Sequence, residues 1–429
     1  MLPSRSSKMP RAFYLVIAAQ FVSALADNAL LIVAIARLME LATAPWTIPL
    51  LKLCFTLCYV FLAPFTGPLA DAWPKGRVML LANAWKTCAV FALLLGADPL
   101  LAMAIAGLGA AIYGPAKYGL ITELLPAQLL VRANGFIEAS TVCAVILGTV
   151  AGGLLVSPAL RSLALPWTGL DWPSAATSLH AGMGVVLALY ALAALLNLAI
   201  PSSGAVYPRH ALHPLQMARR FFHENQLLWR DPLGRVSMAV TTLLWGIGAT
   251  LQLVVLRWAA QSLGLALDRA AYLQGVTALG VIAGSVLASR YVRLEDATRV
   301  LPLGIAMGLL VPCMVWVHTP WMAALLLMAF GALAGFFVVP MNALLQHRGS
   351  QLLSAGRSIA VQGFNENAGM LAMLALYAGA TALNIPLAQL LWCFGLMVAV
   401  VMALILRGHR MACERHNACL ESFIKPSSI

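Results

Sequence analysis

The chain has 429 residues, 62% of them hydrophobic and only 10% charged, against roughly 45–50% and 25% for a soluble domain. Apolar stretches of about 18 residues or more recur from end to end, which excludes a soluble globular enzyme. The net charge of +12 could suggest nucleic acid, so its placement along the chain matters.

Twelve membrane spans are predicted, at 12–36, 47–70, 78–96, 99–122, 131–156, 176–200, 236–258, 270–289, 300–317, 320–344, 356–381 and 386–407. Of the 27 Lys and Arg residues, 20 fall on one set of connections and tails. The opposite set carries only Arg161 and Arg269, and Arg37, Lys52, Lys86, Lys117 and Arg257 lie in spans or at their ends. This positive-inside bias places both termini in the cytoplasm and makes the basic balance a topology signal. No cleavable signal peptide is expected, because the first apolar run has the length of a full span. Cys54 and Cys58 lack a CxxC spacing and, with the other span cysteines, read as packing.

The first span contains Asp27 within FVSALADNALLIVAIA, followed by Asn28. The second ends in GPLADAWPKGRV, where Asp71 can accept backbone N–H groups at a helix start and pair with Arg77. This stretch resembles the conserved G-x-L-x-D-x-x-x-x-x-R loop of major facilitator transporters, and the resemblance implies a latch made in one state of the transport cycle and broken in another. The fourth span holds Pro115, Lys117 and, near its end, Glu123; the fifth holds Asn134 and Glu138. Residues 201–235 form the longest polar stretch, and LHPLQMARRFFHENQLLW within it reads as an amphipathic helix at the inner surface. This linker divides the chain into halves, 1–200 and 236–407. Those halves echo each other: Pro115 corresponds to Pro340, and Asn134 four before Glu138 corresponds to Gln362 four before Glu366. A parallel repeat of six helices is the organisation of the major facilitator fold, an all-α membrane architecture of twelve transmembrane helices. The tail 408–429 is expected to be disordered.

Acids at bilayer depth cost roughly 2.5–3.5 kcal/mol on insertion scales unless they face a cavity or a partner, so Asp27, Glu138 and Glu366 point to transport rather than anchoring. With Asn28, Lys117 and Gln362 they form the expected substrate- or ion-binding set; Asp71 and Arg77 form the expected gate. A carboxylate in such a place can also hold Na⁺ or a proton, and the residues do not choose between them. No aspartate follows any histidine at five residues and no G-x-S-x-G occurs, so neither an H-x₄-D acyltransferase nor a serine hydrolase is read. A passive scaffold would leave the three acids unexplained.

ADNALL (26–31), YGPAKYGLITEL (113–124), RANGFIEAS (132–140), GFFVVPMNALLQ (335–346) and VQGFNENAGM (361–370) resemble the bacterial lysophospholipid transporter family of the major facilitator superfamily. The resemblance runs over 11–407. It departs from the superfamily pattern at Pro74, where a glycine is usual, which implies a stiffer turn. It implies a flippase that moves lysophosphatidylethanolamine and related lysolipids from the outer to the inner leaflet of the inner membrane by alternating access. The resemblance also implies functional coupling to a lysophospholipid acyltransferase and a monomer among inner-membrane lipids, with no nucleic-acid partner. In such a substrate a carboxylate would take the amine, Lys117 the phosphate, and Asn28, Asn134, Gln252, Gln362 or Asn365 the hydroxyl oxygens. The acyl chain needs an apolar slot, for which the glycines of the fifth and eleventh spans leave room. A major facilitator carrier of another amphipathic small molecule is the alternative.

Overall fold

The computed structural model describes residues 9–44, 47–157, 177–207, 213–265 and 267–424. Arg5, Lys8, Arg161, Arg209 and Lys425 of the charge pattern lie outside them. Every regular element described is a helix. In chain order they are α1 (Arg11–Glu40), α2 (Thr47–Ala72), α3 (Lys75–Leu94), α4 (Pro99–Leu124), α5 (Ala127–Leu155), α6 (Thr177–Leu198), α7 (Pro214–Arg230), α8 (Pro232–Leu263), α9 (Leu267–Tyr291), α10 (Leu301–Cys313), α11 (Pro320–Leu352), α12 (Ala355–Ala382) and α13 (Leu387–Ile424). Short 3₁₀ turns flank α10 at Leu294–Val300 and Met314–Trp316.

Eleven of these segments are long and apolar enough to cross a membrane. The helix Ala355–Ala382 is not among them, because Arg357, Gln362, Asn365, Glu366 and Asn367 interrupt its apolar character. A second departure lies at the C-terminus. Helix α13 runs to Ile424, so residues 408–424 continue the last span instead of forming the expected disordered tail.

Proline and aspartate set several helix starts. Asp98 accepts the N–H of Leu100 at 2.7 Å ahead of Pro99, and Asp231 accepts the N–H of Gly234 at 2.8 Å ahead of Pro232. Each pairs a side-chain cap with a proline whose missing N–H would have been unsatisfied in the first turn.

The chain forms two compact units. The first comprises Met1–Glu224 with Gly349–Asn367, and the second Asn225–Arg348 with Ala368–Ile429. In the first, α1 packs on α4, α5 and α6, α2 on α4, and α3 on α4 and α6. Its apolar core gathers Leu30, Val33, Leu51, Val90, Met103, Val186 and the Tyr190 ring. Gly148 and Gly152 let α5 approach α1: a methyl on Gly152 would lie 2.8 Å from Ile32 Cβ, and one on Gly148 would meet Leu25 O and Asn28 Cβ. These two glycines are therefore filled by α1, whereas Gly153 beside them has nothing within 4 Å. In α12, Gly369 is filled by Thr242, whereas Gly363 and Gly379 have nothing within 4 Å.

In the second unit α10 packs on α13, and α8 on α9 and α13. Gly280 and Gly284 of α9 face Met328 and Ala332 of α11, while Gly331 and Gly335 of α11 face Thr277 and Val281. Backbone-to-backbone approach of this kind is the small-residue packing of membrane helices, where lipid removes the usual hydrophobic drive between helices.

Candidate transport site and gate

Polar side chains in the first unit gather along one face of α1. Residues 20, 23 and 27 are spaced at three and four, so they share that face. Around Asp27 the Lys86 ammonium lies 2.8 Å from Oδ2, and the Tyr190 hydroxyl donates to Oδ1 at 2.7 Å. Lys86 also reaches Ser23 Oγ at 3.1 Å, and Ser23 donates to Asn83 Oδ1 at 2.8 Å. Asp27 thus has a direct cationic partner, and it is Lys86 rather than Lys117. Two turns away, Lys117 donates to Gln20 Oε1 at 3.2 Å and sits 4.1 Å from the Tyr118 ring centre. Gln20 in turn bonds Ser140 and accepts from Thr141 of α5 at 3.3 Å.

The remaining acids lie within electrostatic reach of this second cluster. The charge of Lys117 acts on Glu138, and both Glu138 and Glu366 act on Tyr118. Gln362 donates to Glu366 Oε1 at 2.7 Å, which realises the four-residue spacing seen in the sequence. Asn134 donates to the carbonyl of Leu130, and Asn28 to that of Ala24. Asn28 therefore gives one amide N–H to its own helix. Gln252, in the second unit, contacts Gln274 there, with Nε2 3.4 Å from Gln274 Oε1.

A separate cluster surrounds Asp71 at the end of α2. Asp71 Oδ1 accepts the N–H of Gly356 at 3.0 Å and the Lys75 ammonium at 3.1 Å, while Oδ2 accepts from Ser354. Lys75 also pairs with Glu123 at 2.5 Å. Arg77 is exposed and forms no ion pair with Asp71 among the described residues. The expected Asp71–Arg77 pair is thus replaced by Asp71–Lys75. The turn at Trp73–Pro74 is short, and Lys75 opens α3 close to the carboxylate, whereas Arg77 lies half a turn further round.

Glu123, grouped in the sequence with the mid-span acids, belongs here instead. Its carboxylate accepts from Ser203 at 2.5 Å and from Tyr207 at 2.8 Å, two residues just beyond α6. Burial and the Glu123 carboxylate push the Tyr207 phenol above its ordinary pKa, so it remains a donor across the physiological range. Lys75 stands 4.8 Å from the Tyr207 ring centre. On α7, Glu224 pairs with Arg357 at 3.1 Å, and Phe221 meets Phe364 edge to face at 5.3 Å. These contacts attach the linker to the first turns of α12. Sequence spacing alone could have suggested Lys75, four after Asp71, as the better partner.

Two comparisons decide the family. Residues 16–375 match the Major Facilitator Superfamily profile. Lysophospholipid transporter LplT of Serratia proteamaculans (strain 568) is 40% identical over 379 residues, covering 88% of this chain and 90% of that one. This chain belongs to the lysophospholipid transporter family of the major facilitator superfamily. Its counterpart in Yersinia pestis (strain Pestoides F) is 40% identical over 380 residues, covering 88% and 89%. Among solved structures, the outward conformation of the major facilitator transporter FucP superposes with a TM-score of 0.69 at 16% identity, covering 93% of this chain and 98% of that one. A bacterial homologue of the iron transporter ferroportin, in an outward-facing state, gives 0.67 at 13% identity, covering 94% and 99%. At such identities these likenesses show the fold alone. As a major facilitator protein the chain is a multi-pass membrane transporter and not an enzyme.

Proposed function

We propose that this transporter moves lysophospholipids, lysophosphatidylethanolamine first among them, from the outer to the inner leaflet of a bacterial inner membrane. The observation that carries this reading is the 40% identity, over 88% of the chain, to proteins named lysophospholipid transporters. Transport runs by alternating access between two six-helix halves of a twelve-span protein with both termini in the cytoplasm. There an acyltransferase restores the missing chain. Asp27, Lys117, Glu138, Gln362 and Glu366 supply the polar surface for the headgroup, with Asn28 at its margin. Paired opposite charges suit a zwitterion: a carboxylate faces the amine and a lysine the phosphate. The single acyl chain of a lysolipid, at about 0.8 kcal/mol per CH₂ kept from water, has to stay in an apolar environment while the headgroup occupies the site. Asp71 gates the cycle through Gly356 and Lys75, and exposed Arg77 contributes at the rim. Energy coupling to Na⁺ or H⁺ remains compatible with the same carboxylates.

The test is leaflet-resolved uptake into proteoliposomes, offering lysophosphatidylethanolamine, a diacyl phosphatidylethanolamine and a sugar. Only the lysolipid is expected to change leaflet at a protein-dependent rate. Sugar uptake without lipid movement would refute the reading and favour a carrier of another solute.

A further inference from the structure

Lys86 is a charge that the headgroup chemistry above does not use, and its seat is built with care. The side chain is 2% exposed, whereas that of Asp27 is 19% exposed. Its ammonium is held by Asp27 and Ser23, and the rings of Tyr113 and Tyr190 stand 5.3 and 5.7 Å from it. Its stem lies over Gly109 of α4, where a methyl group would come 2.7 Å from Lys86 Cγ. A solute that reaches this pair therefore touches the carboxylate and not the ammonium. Asp27 consequently presents an oxygen whose charge is already balanced from behind. An arriving ammonium gains less from such a carboxylate than from a bare one, and an anionic headgroup is repelled less.

We propose that Lys86 is a specificity-determining residue: a resident counter-ion of Asp27 that tempers selection by headgroup charge and lets one site accept lipids with and without an amine. This rests on the lysophospholipid reading. Lys86 does not touch the substrate; it acts through Asp27, and the two single neutralisations must therefore push selectivity in opposite directions. Lys86→Met unmasks the carboxylate and raises the rate ratio of lysophosphatidylethanolamine to lysophosphatidylglycerol. Asp27→Asn leaves the ammonium unbalanced and lowers the same ratio. Each shift should be roughly tenfold or more, the worth of one charge-assisted hydrogen bond. The double variant D27N/K86M, which buries neither charge alone, should return to near the wild-type ratio even if its absolute rate is low.

The experiment is flipping of the two lysolipids by wild type, K86M, D27N and the double variant in proteoliposomes, with protein content matched. Opposite shifts in the singles and their cancellation in the double support the proposal. Ratios that stay constant, or move the same way in both singles, overturn it, since a merely structural pair lowers both rates together. If K86M does not accumulate in the membrane, D27N against the double variant decides the matter: a ratio that is equal in the two removes Lys86 from selectivity. A wild type that moves neither lipid would instead defeat the transport reading and this proposal with it.

Discussion

The residues proposed to gate the cycle differ in how much a single change should do. Asp71 accepts from Gly356, Lys75 and Ser354, all in one seat, whereas Arg77 is exposed. Asp71→Asn and Lys75→Met should each lower transport by roughly tenfold or more, since a charge-assisted bond contributes about 1.5–3 kcal/mol. Arg77→Gln should change it by no more than about twofold, as expected of an exposed charge. Uptake assays on the three variants check this order, and an Arg77 effect as large as that of Asp71 would count against it. A neutral change should act as strongly. A methyl on Gly356 would stand 2.6 Å from Asp71 Oδ1 and 2.9 Å from Gly67 O, so Gly356→Ala must push the carboxylate out of its seat without altering any charge. Greater reactivity of a cysteine placed at Ser354, in the alanine background, would report the opened seat.

At the level of elements, the N-terminus of α8 is fixed by a carboxylate. Burial raises the Asp231 pKa, but the Arg348 hydrogen bonds and the N–H of Gly234 outweigh it, and the net shift is downward from 3.8. A carboxyl depressed on folding adds stability above its unfolded value and loses it as pH falls through the folded one. Thermal melts of the detergent-solubilised protein should therefore be flat with respect to this group from pH 7 to about 5. They should decline as the pH falls below the ordinary aspartate value of 3.8, and Asp231→Asn should remove part of that acid dependence. The same scale shows what could be read from sequence. Helix positions and the α7 stripe of Phe221, Glu224 and Leu228 follow from apolar period and turn residues, which are local. The partners of Asp27 and Glu123 do not. Lys86 is 59 residues from Asp27, and Tyr207 is 84 from Glu123. Such pairs depend on how each helix is rotated about its axis, which an almost uniformly apolar helix hardly encodes: apolar side chains suit lipid and protein interior alike and so mark no preferred face. Gly148 misled for a related reason, since a glycine in a span marks either an open slot or a backbone pressed against it, and only the neighbouring helix tells which.

For the whole molecule, the placement of charge makes a topological prediction. Reporter fusions at residues 98 and 265 should read periplasmic, and those at 215 and 410 cytoplasmic; a periplasmic signal at 215 would break the twelve-span order. The far end of the chain adds something of practical use. Helix α13 has 38 residues, about 57 Å at 1.5 Å per residue, while the hydrocarbon layer is only about 30 Å thick. A stretch of helix therefore stands clear of the bilayer as a rod continuous with the last span. A helical protein spliced in register near residue 410 would be carried as a stiff extension of the transporter rather than on a tether, giving a small membrane protein the fixed landmark that particle alignment in electron microscopy needs.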